Sequence, residues 1–232
     1  MFDFAFAWSF LPEMLKGLRI TVIATLGGFA VALLVGLGLE LMRRGRSKAL
    51  RRIAQGWISF IRCTPLLVQL YFVFYVAPKW GLRIDALTTG ILCLGIHIGA
   101  YVAEVYRAGI DAVPPGQWDA GRALGLGPVA LWRAVILPQA LPPAIPPLGN
   151  YLIGLFKETP LLAAITVLDV FGAANNIAGR TFRYNEPYTV AAVLLLVVSL
   201  LAAWAVRRIE RRMTLHRTGR ALPSAGPGSG PV

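Results

Sequence analysis

The feature that most constrains this chain is a run of twenty residues, Ile20–Leu39, with no charged side chain before Glu40. A helix needs about 20 predominantly apolar residues to cross the hydrocarbon of a bilayer. Comparable runs recur at Trp57–Ala77, Ala86–Ala103, from Pro138 to about Leu168, and Tyr188–Ala205. Soluble domains are about a quarter charged; this one is 15% charged and 56% hydrophobic, with a mean hydropathy of +0.64. The expectation is an all-α integral membrane protein of one domain, residues 1–212, with about five transmembrane helices.

Ahead of the first span, Met1–Lys16 is aromatic-rich and lacks a basic leader, which predicts a short helix lying in the headgroup layer rather than a signal peptide. Orientation follows from the cations. Arg43, Arg44, Arg46, Lys48, Arg51 and Arg52 crowd one loop, and Arg207, Arg208, Arg211, Arg212, Arg217 and Arg220 crowd the C-terminal end. Five spans put both on one side with residues 104–138. Lys16, Arg19, Lys79, Arg83, Arg180 and Arg183 fall opposite. The positive-inside rule then predicts the N-terminus outside and the C-terminus in the cytoplasm. The basic and Gly/Pro/Ser-rich end, 213–232, reads as a disordered tail.

The net charge of +12 does not argue for nucleic acid, because the cations flank apolar runs instead of forming a stripe with interleaved aromatics. Cys63 and Cys93 lie in apolar context without metal-ligand spacing and read as small buried hydrophobes. There is no Gly-x-x-x-x-Gly-Lys phosphate loop, and no nucleophile–base arrangement, so no enzyme chemistry is legible in the chain.

The segment Trp118–Pro138 carries three charges, three glycines and two prolines between apolar runs. It reads as two short helices hinged at Gly125-Leu126-Gly127-Pro128, since glycine adopts the left-handed conformation of a sharp reversal and proline opens the next helix. Trp118, Leu124 and Leu131 would then form an apolar surface beside Asp119 and Arg122. Physics alone allows either a helix that docks in the groove of a soluble partner or one that lies on headgroups.

Asp119-Ala120-Gly121-Arg122-Ala123-Leu124-Gly125, followed by Val135-Ile136-Leu137-Pro138, resembles the EAA motif of ABC importer permeases. Arg62-Cys63-Thr64-Pro65-Leu66-Leu67-Val68-Gln69, the Ala103–Pro114 stretch and Pro146-Pro147-Leu148-Gly149-Asn150 are similar to the polar amino acid (histidine/glutamine/arginine) branch. The resemblance covers about residues 10–208. It implies the transmembrane domain of a type I ABC importer in the bacterial inner membrane, with a cytoplasmic coupling helix at about 115–131. It implies three kinds of partner besides membrane lipids: an ABC ATPase dimer that binds the ATP and Mg, a second permease subunit (a copy of itself or a homologue), and an extracytoplasmic solute-binding protein. Trp118, Asp119, Ala120, Gly121 and Gly125 would meet the ATPase. Asp119 stands where the motif has Glu, and Gly121 where it has Ala, the latter costing about 0.5–1 kcal/mol of helix stability.

Lys157 and Glu158 fall near mid-depth of the fourth span, where an ionised side chain costs at least about 2.5–3.5 kcal/mol and normally faces a cavity or a partner. Pro160 removes a hydrogen bond at Phe156 and should bend the helix there. The pair suits a zwitterion, or is a structural pair. His97, Thr64 and Gln69 are further candidates for the solute path, with a helix–helix hydrogen bond as the alternative for His97. Leu155–Leu162 and Thr181–Tyr188 are similar to the ectoine/hydroxyectoine permeases, with glutamate, glutamine or basic amino acids as the other cargoes. A secondary transporter or a membrane scaffold docking a soluble partner are the rival readings.

Overall fold

The computed structural model describes residues 2–218, with side chains as far as Arg211. The first helix, α1, runs unbroken over Phe4–Arg44, roughly 60 Å at 1.5 Å per residue. Asp3 caps it, its carboxylate accepting the Phe6 amide at 3.0 Å. The separate interfacial helix expected at Met1–Lys16 is therefore not formed: that stretch is the start of α1. One side of it finds protein, Phe10 and Met14 being buried against Val170, Ala173 and Ile177, while Phe4 and Trp8 stay exposed. Gly17 is a contact point, not a hinge; a Cβ there would lie 2.7 Å from the Asp169 carbonyl oxygen. At the same end, Arg183 bridges Asp3 and Glu186 and lies 4.1 Å over the Phe6 ring.

The second expected span is broken. The helix α2, Lys48–Cys63, ends at Thr64, and α3, Leu66–Tyr71, continues through a π segment to Trp80 at 104° to it. The residue before a proline is driven out of the helical region, and Thr64 has φ −112°, ψ 135°. Cys63 is exposed at this corner, against the expectation of burial, whereas Cys93 is buried.

The helix α4, Ala86–Asp111, crosses α1 so closely that small residues are obligatory. A Cβ on Gly95 would meet Val31 Cγ1 at 2.4 Å, and one on Gly36 would meet Val102 Cγ1 at 2.5 Å. Around that crossing Ala24, Leu70, Leu94, Leu155, Leu162 and Ile165 form the largest core cluster. After α5 (Pro115–Ala123) and α6 (Pro128–Leu131), a π segment leads into α7, Leu137–Glu158. Pro160 does not simply bend α7; the chain tightens into a 3₁₀ stretch, Thr159–Ile165, closed by Thr166 at φ 67°.

A helix not foreseen, α8 (Val170–Thr181), follows at 46° to the preceding stretch. Asp169 caps it through Gly172, and Thr21 of α1 accepts the Val170 amide. The last helix, α9, spans Asn185–Thr218, past the expected boundary at 212; the rest of the expected tail, 219–232, lies outside the described residues.

Among the described residues three helices are long and apolar enough to cross a membrane, and five spans result if each bent pair crosses once. The described residues contain no strand. The all-α membrane class holds.

Candidate functional site

Two regions carry the candidate residues. The first is the α5–α6 hairpin. Gly125 has φ +71°, and the turn is a Schellman closure: the Gly125 amide bonds the Arg122 carbonyl at 2.9 Å and the Leu126 amide bonds that of Gly121 at 3.1 Å. Gly121 is buried because Leu131 lies against it; a Cβ would sit 2.3 Å from Leu131 Cδ1. Trp118 packs edge-on to Trp132 at 5.4 Å. The expected apolar surface of Trp118, Leu124 and Leu131 is corrected here. Trp118 and Leu131 join a core shared with Ile110 of α4 and Ala140 of α7, while Leu124 and Val129 stand out, 79% and 71% exposed. Ala120 is exposed as well. Asp119 pairs with Arg122 at 3.2 Å, both largely exposed. Gln139 of α7 donates to Gln117 at 3.2 Å, fastening the hairpin to the membrane helices.

The second region surrounds the Thr64–Pro65 corner. Gln69 Nε2 donates to Thr64 Oγ1 at 2.7 Å and to the carbonyls of Thr64 and Ile61 at 3.2 and 3.1 Å. The Ile61 carbonyl, which also accepts the Thr64 amide at 3.4 Å, and the Thr64 carbonyl lie where α2 stops, so Gln69 stitches the break. Its Oε1 can only accept, so His97 Nδ1, 3.2 Å away, carries the proton and donates. Thr64 and Gln69 line an apolar cavity of about 430 Å³ with Trp57, Phe60, Phe72 and Cys93.

Three residues missed by sequence reasoning join this cluster. Tyr101 lies 5.5 Å from the His97 ring and 5.8 Å from Tyr151, and the Arg62 guanidinium is 5.2 Å from the Tyr101 centroid. Tyr101 and Tyr151 line a second cavity of about 280 Å³ with Glu104. The signal was present as aromatics one turn from His97 and from the Pro146-Pro147 pair.

Lys157 and Glu158 are not brought into this cluster. They line neither cavity, and they form no ion pair with each other among the described residues. Lys157 is exposed, while Glu158 is half-buried with Oε2 enclosed and unpartnered. The structure thus separates a stitched polar corner from a lone carboxylate at the end of α7.

A family profile described as binding-protein-dependent transport system inner membrane component matches residues 40–215. The probable amino-acid ABC transporter permease protein y4tG of Sinorhizobium fredii is 41% identical over 208 residues, covering 90% of each chain. The glutamine transport system permease protein GlnP of Escherichia coli K12 is 34% identical over 216 residues, 92% of this chain and 99% of GlnP. A solved structure described as an amino acid ABC transporter with histidines superposes with a TM-score of 0.85 at 37% identity, over 91% of this chain and 99% of that one. The chain belongs to the family of binding-protein-dependent transport system inner membrane components. It is a multi-pass inner-membrane protein with the transmembrane fold of a type I ABC importer.

Proposed function

We propose that this permease subunit of an amino-acid ABC importer moves a polar amino acid or an amino-acid-derived compatible solute into the cytoplasm by alternating access. The observation that carries the reading is the α5–α6 hairpin: a Schellman-closed pair of short helices with its apolar inner face packed against the ends of α4 and α7 and Leu124, Val129, Asp119 and Arg122 exposed. A rigid, small protrusion of this kind suits docking in a groove of a soluble subunit. The ATPase dimer would grip it there, binding the ATP and Mg. Closure of the ATPases would rock the hairpin, and α4 and α7, to which it is joined at either end, would carry the movement to the cavities. A second permease subunit and an extracytoplasmic solute-binding protein complete the assembly, with the C-terminus and hairpin in the cytoplasm and the N-terminus outside.

Within the path, Thr64, Gln69 and His97 form a preorganised polar wall, and Arg62, Tyr101 and Tyr151 add a cation and two ring faces. Glu158 Oε2 is enclosed without a hydrogen-bond partner, so a solute ammonium would meet this carboxylate only after rearrangement around the end of α7. Lys157, exposed on the neighbouring position, is the weaker contact.

Ectoine or hydroxyectoine is the cargo to test first, from the likeness of Leu155–Leu162 and Thr181–Tyr188 to that branch; glutamine, glutamate and arginine are its competitors. The test co-expresses the chain with the products of its neighbouring genes and records ATP hydrolysis in nanodiscs with binding protein loaded with each solute in turn. Stimulation by one loaded solute supports the importer and names its cargo. If no ATPase co-purifies, and Asp119 and Gly125 variants change nothing, a scaffold that docks another partner becomes the better reading.

A further inference from the structure

The ends of α1 and α4 beside the hairpin hold a closed set of charges. Glu40, Arg43 and Arg44 share one face of α1 by their spacing, and Glu104, Arg107 and Asp111 share one face of α4. Three carboxylates and three guanidinia meet between them. Glu40 is the hub, only 1% exposed. Arg43 Nε donates to its Oε2 at 2.8 Å, and Arg44 Nε donates to its Oε1 at 2.5 Å. Each arginine then crosses to α4. Arg43 reaches Glu104 at 2.7 Å and the Ala103 carbonyl at 3.1 Å, and Arg44 reaches Asp111 at 2.5 Å. Arg107 closes the ring on Glu104 at 2.8 Å and Asp111 at 3.5 Å.

This ring touches two separate places. Glu104 lines the cavity of Tyr101 and Tyr151. Arg44 and Asp111 line a polar groove shared with Trp118, Asp119 and Arg122 of α5. Along α4 the two acids are separated by roughly 10 Å, and Asp111 is the last residue before the short link into α5.

Stability alone is a poor account of such a ring. Apolar side chains of similar volume commonly do as well as a buried ion pair, whose better-attested use is to fix register. The crossing of α1 and α4 is already secured by their glycine contacts. What the charges add is a fixed correspondence: both oxygens of one buried carboxylate hold arginines that each reach a different acid, so the root of α5 cannot slide along α1 without breaking both bridges.

Resting on the importer reading above, we propose that Glu40 is a positioning residue, which ties movement of the α5 hairpin to the Tyr101–Tyr151 cavity through Arg43–Glu104 and Arg44–Asp111. The test reconstitutes the complete transporter, with its ATPase and binding protein, in proteoliposomes and measures solute imported per ATP hydrolysed. Glu40→Gln should lower that ratio about tenfold while ATP hydrolysis without binding protein stays within about twofold. Asp111→Asn, at the more exposed end of the ring, should lower the ratio in the same direction. A purely structural role would reduce thermal midpoint, uptake and hydrolysis together and leave the ratio unchanged; that result in Glu40→Gln overturns the proposal. Should Glu40→Gln fail to assemble, the ratio in Asp111→Asn decides alone. Absence of ATP-driven uptake in the unaltered transporter would instead sink the importer reading itself.

Discussion

At the scale of single residues, the hairpin turns on Gly125. Its positive φ is a conformation that costs an L-residue roughly 1–2 kcal/mol, and a Cβ there would meet nothing within 4 Å. The cost of Gly125→Ala is therefore purely conformational. Hydrogen exchange at the Gly125 and Leu126 amides, both bonded back into α5, should quicken about tenfold in Gly125→Ala and less in Gly125→Asn, which tolerates this region. Equal exchange in all three proteins would mean the closure is not held by backbone preference. Asp3 supplies a pH-dependent counterpart. The Phe6 amide, and then the Arg183 guanidinium, hold its carboxyl below the ordinary value of 3.8. A depressed carboxylate contributes stability above its unfolded value and loses it as pH falls through the folded one. Protection of the Phe6 amide, measured relative to its intrinsic exchange rate, should thus be level from neutrality to about pH 5 and fall below about pH 4. An Asp3→Asn variant should lack that step.

At the scale of elements, glycine contacts decide how the helices cross. A Cβ on Gly109 of α4 would lie 2.6 Å from the Ala140 backbone oxygen of α7, whereas one on Gly38 of α1 meets nothing within 4 Å. No rotamer change relieves the first contact, so Gly109→Ala should cost about 1–3 kcal/mol by overpacking. Gly38→Ala should be neutral or gain up to about 1 kcal/mol of helix propensity. Thermal unfolding in detergent checks both, and a Gly109→Ala midpoint equal to the parent would show that α4 and α7 separate freely. The element boundaries show what the sequence made legible. The Gly125–Pro128 hinge was readable because turn chemistry is local. The Thr64–Pro65 break carried the same kind of signal, but hydropathy averaged across it produced one straight span. The segment of α8 contains Asn175, Asn176 and Arg180 among small residues. Its apolar positions Val170, Ala173, Ala174, Ile177 and Ala178 do follow helical spacing, but they are small and few, and the partners that bury them, Phe10 and Met14 of α1, lie more than 140 positions away.

At the scale of the whole molecule, the same divide runs through the candidate sites. Hydropathy made Lys157 and Glu158 conspicuous because two charges interrupt an apolar run, and it passed over Tyr101 and Tyr151 because aromatics do not. The pair then separates: adjacent positions on a helix point about 100° apart, leaving Lys157 exposed and one Glu158 oxygen enclosed without a partner. An enclosed carboxylate oxygen with no protein partner opposes folding, which makes Glu158 the first residue of the proposed path to test. Glu158→Gln keeps the shape and removes the charge. Uptake should fall at least about tenfold while the thermal midpoint holds or rises, since an unpaired charge leaves the membrane interior. Lys157→Gln should lower uptake by much less, and assembly with the ATPase should survive both changes. Full uptake by Glu158→Gln would remove that residue from the path and leave the Arg62, Gln69, His97 and Tyr101 corner as the place where solute is recognised.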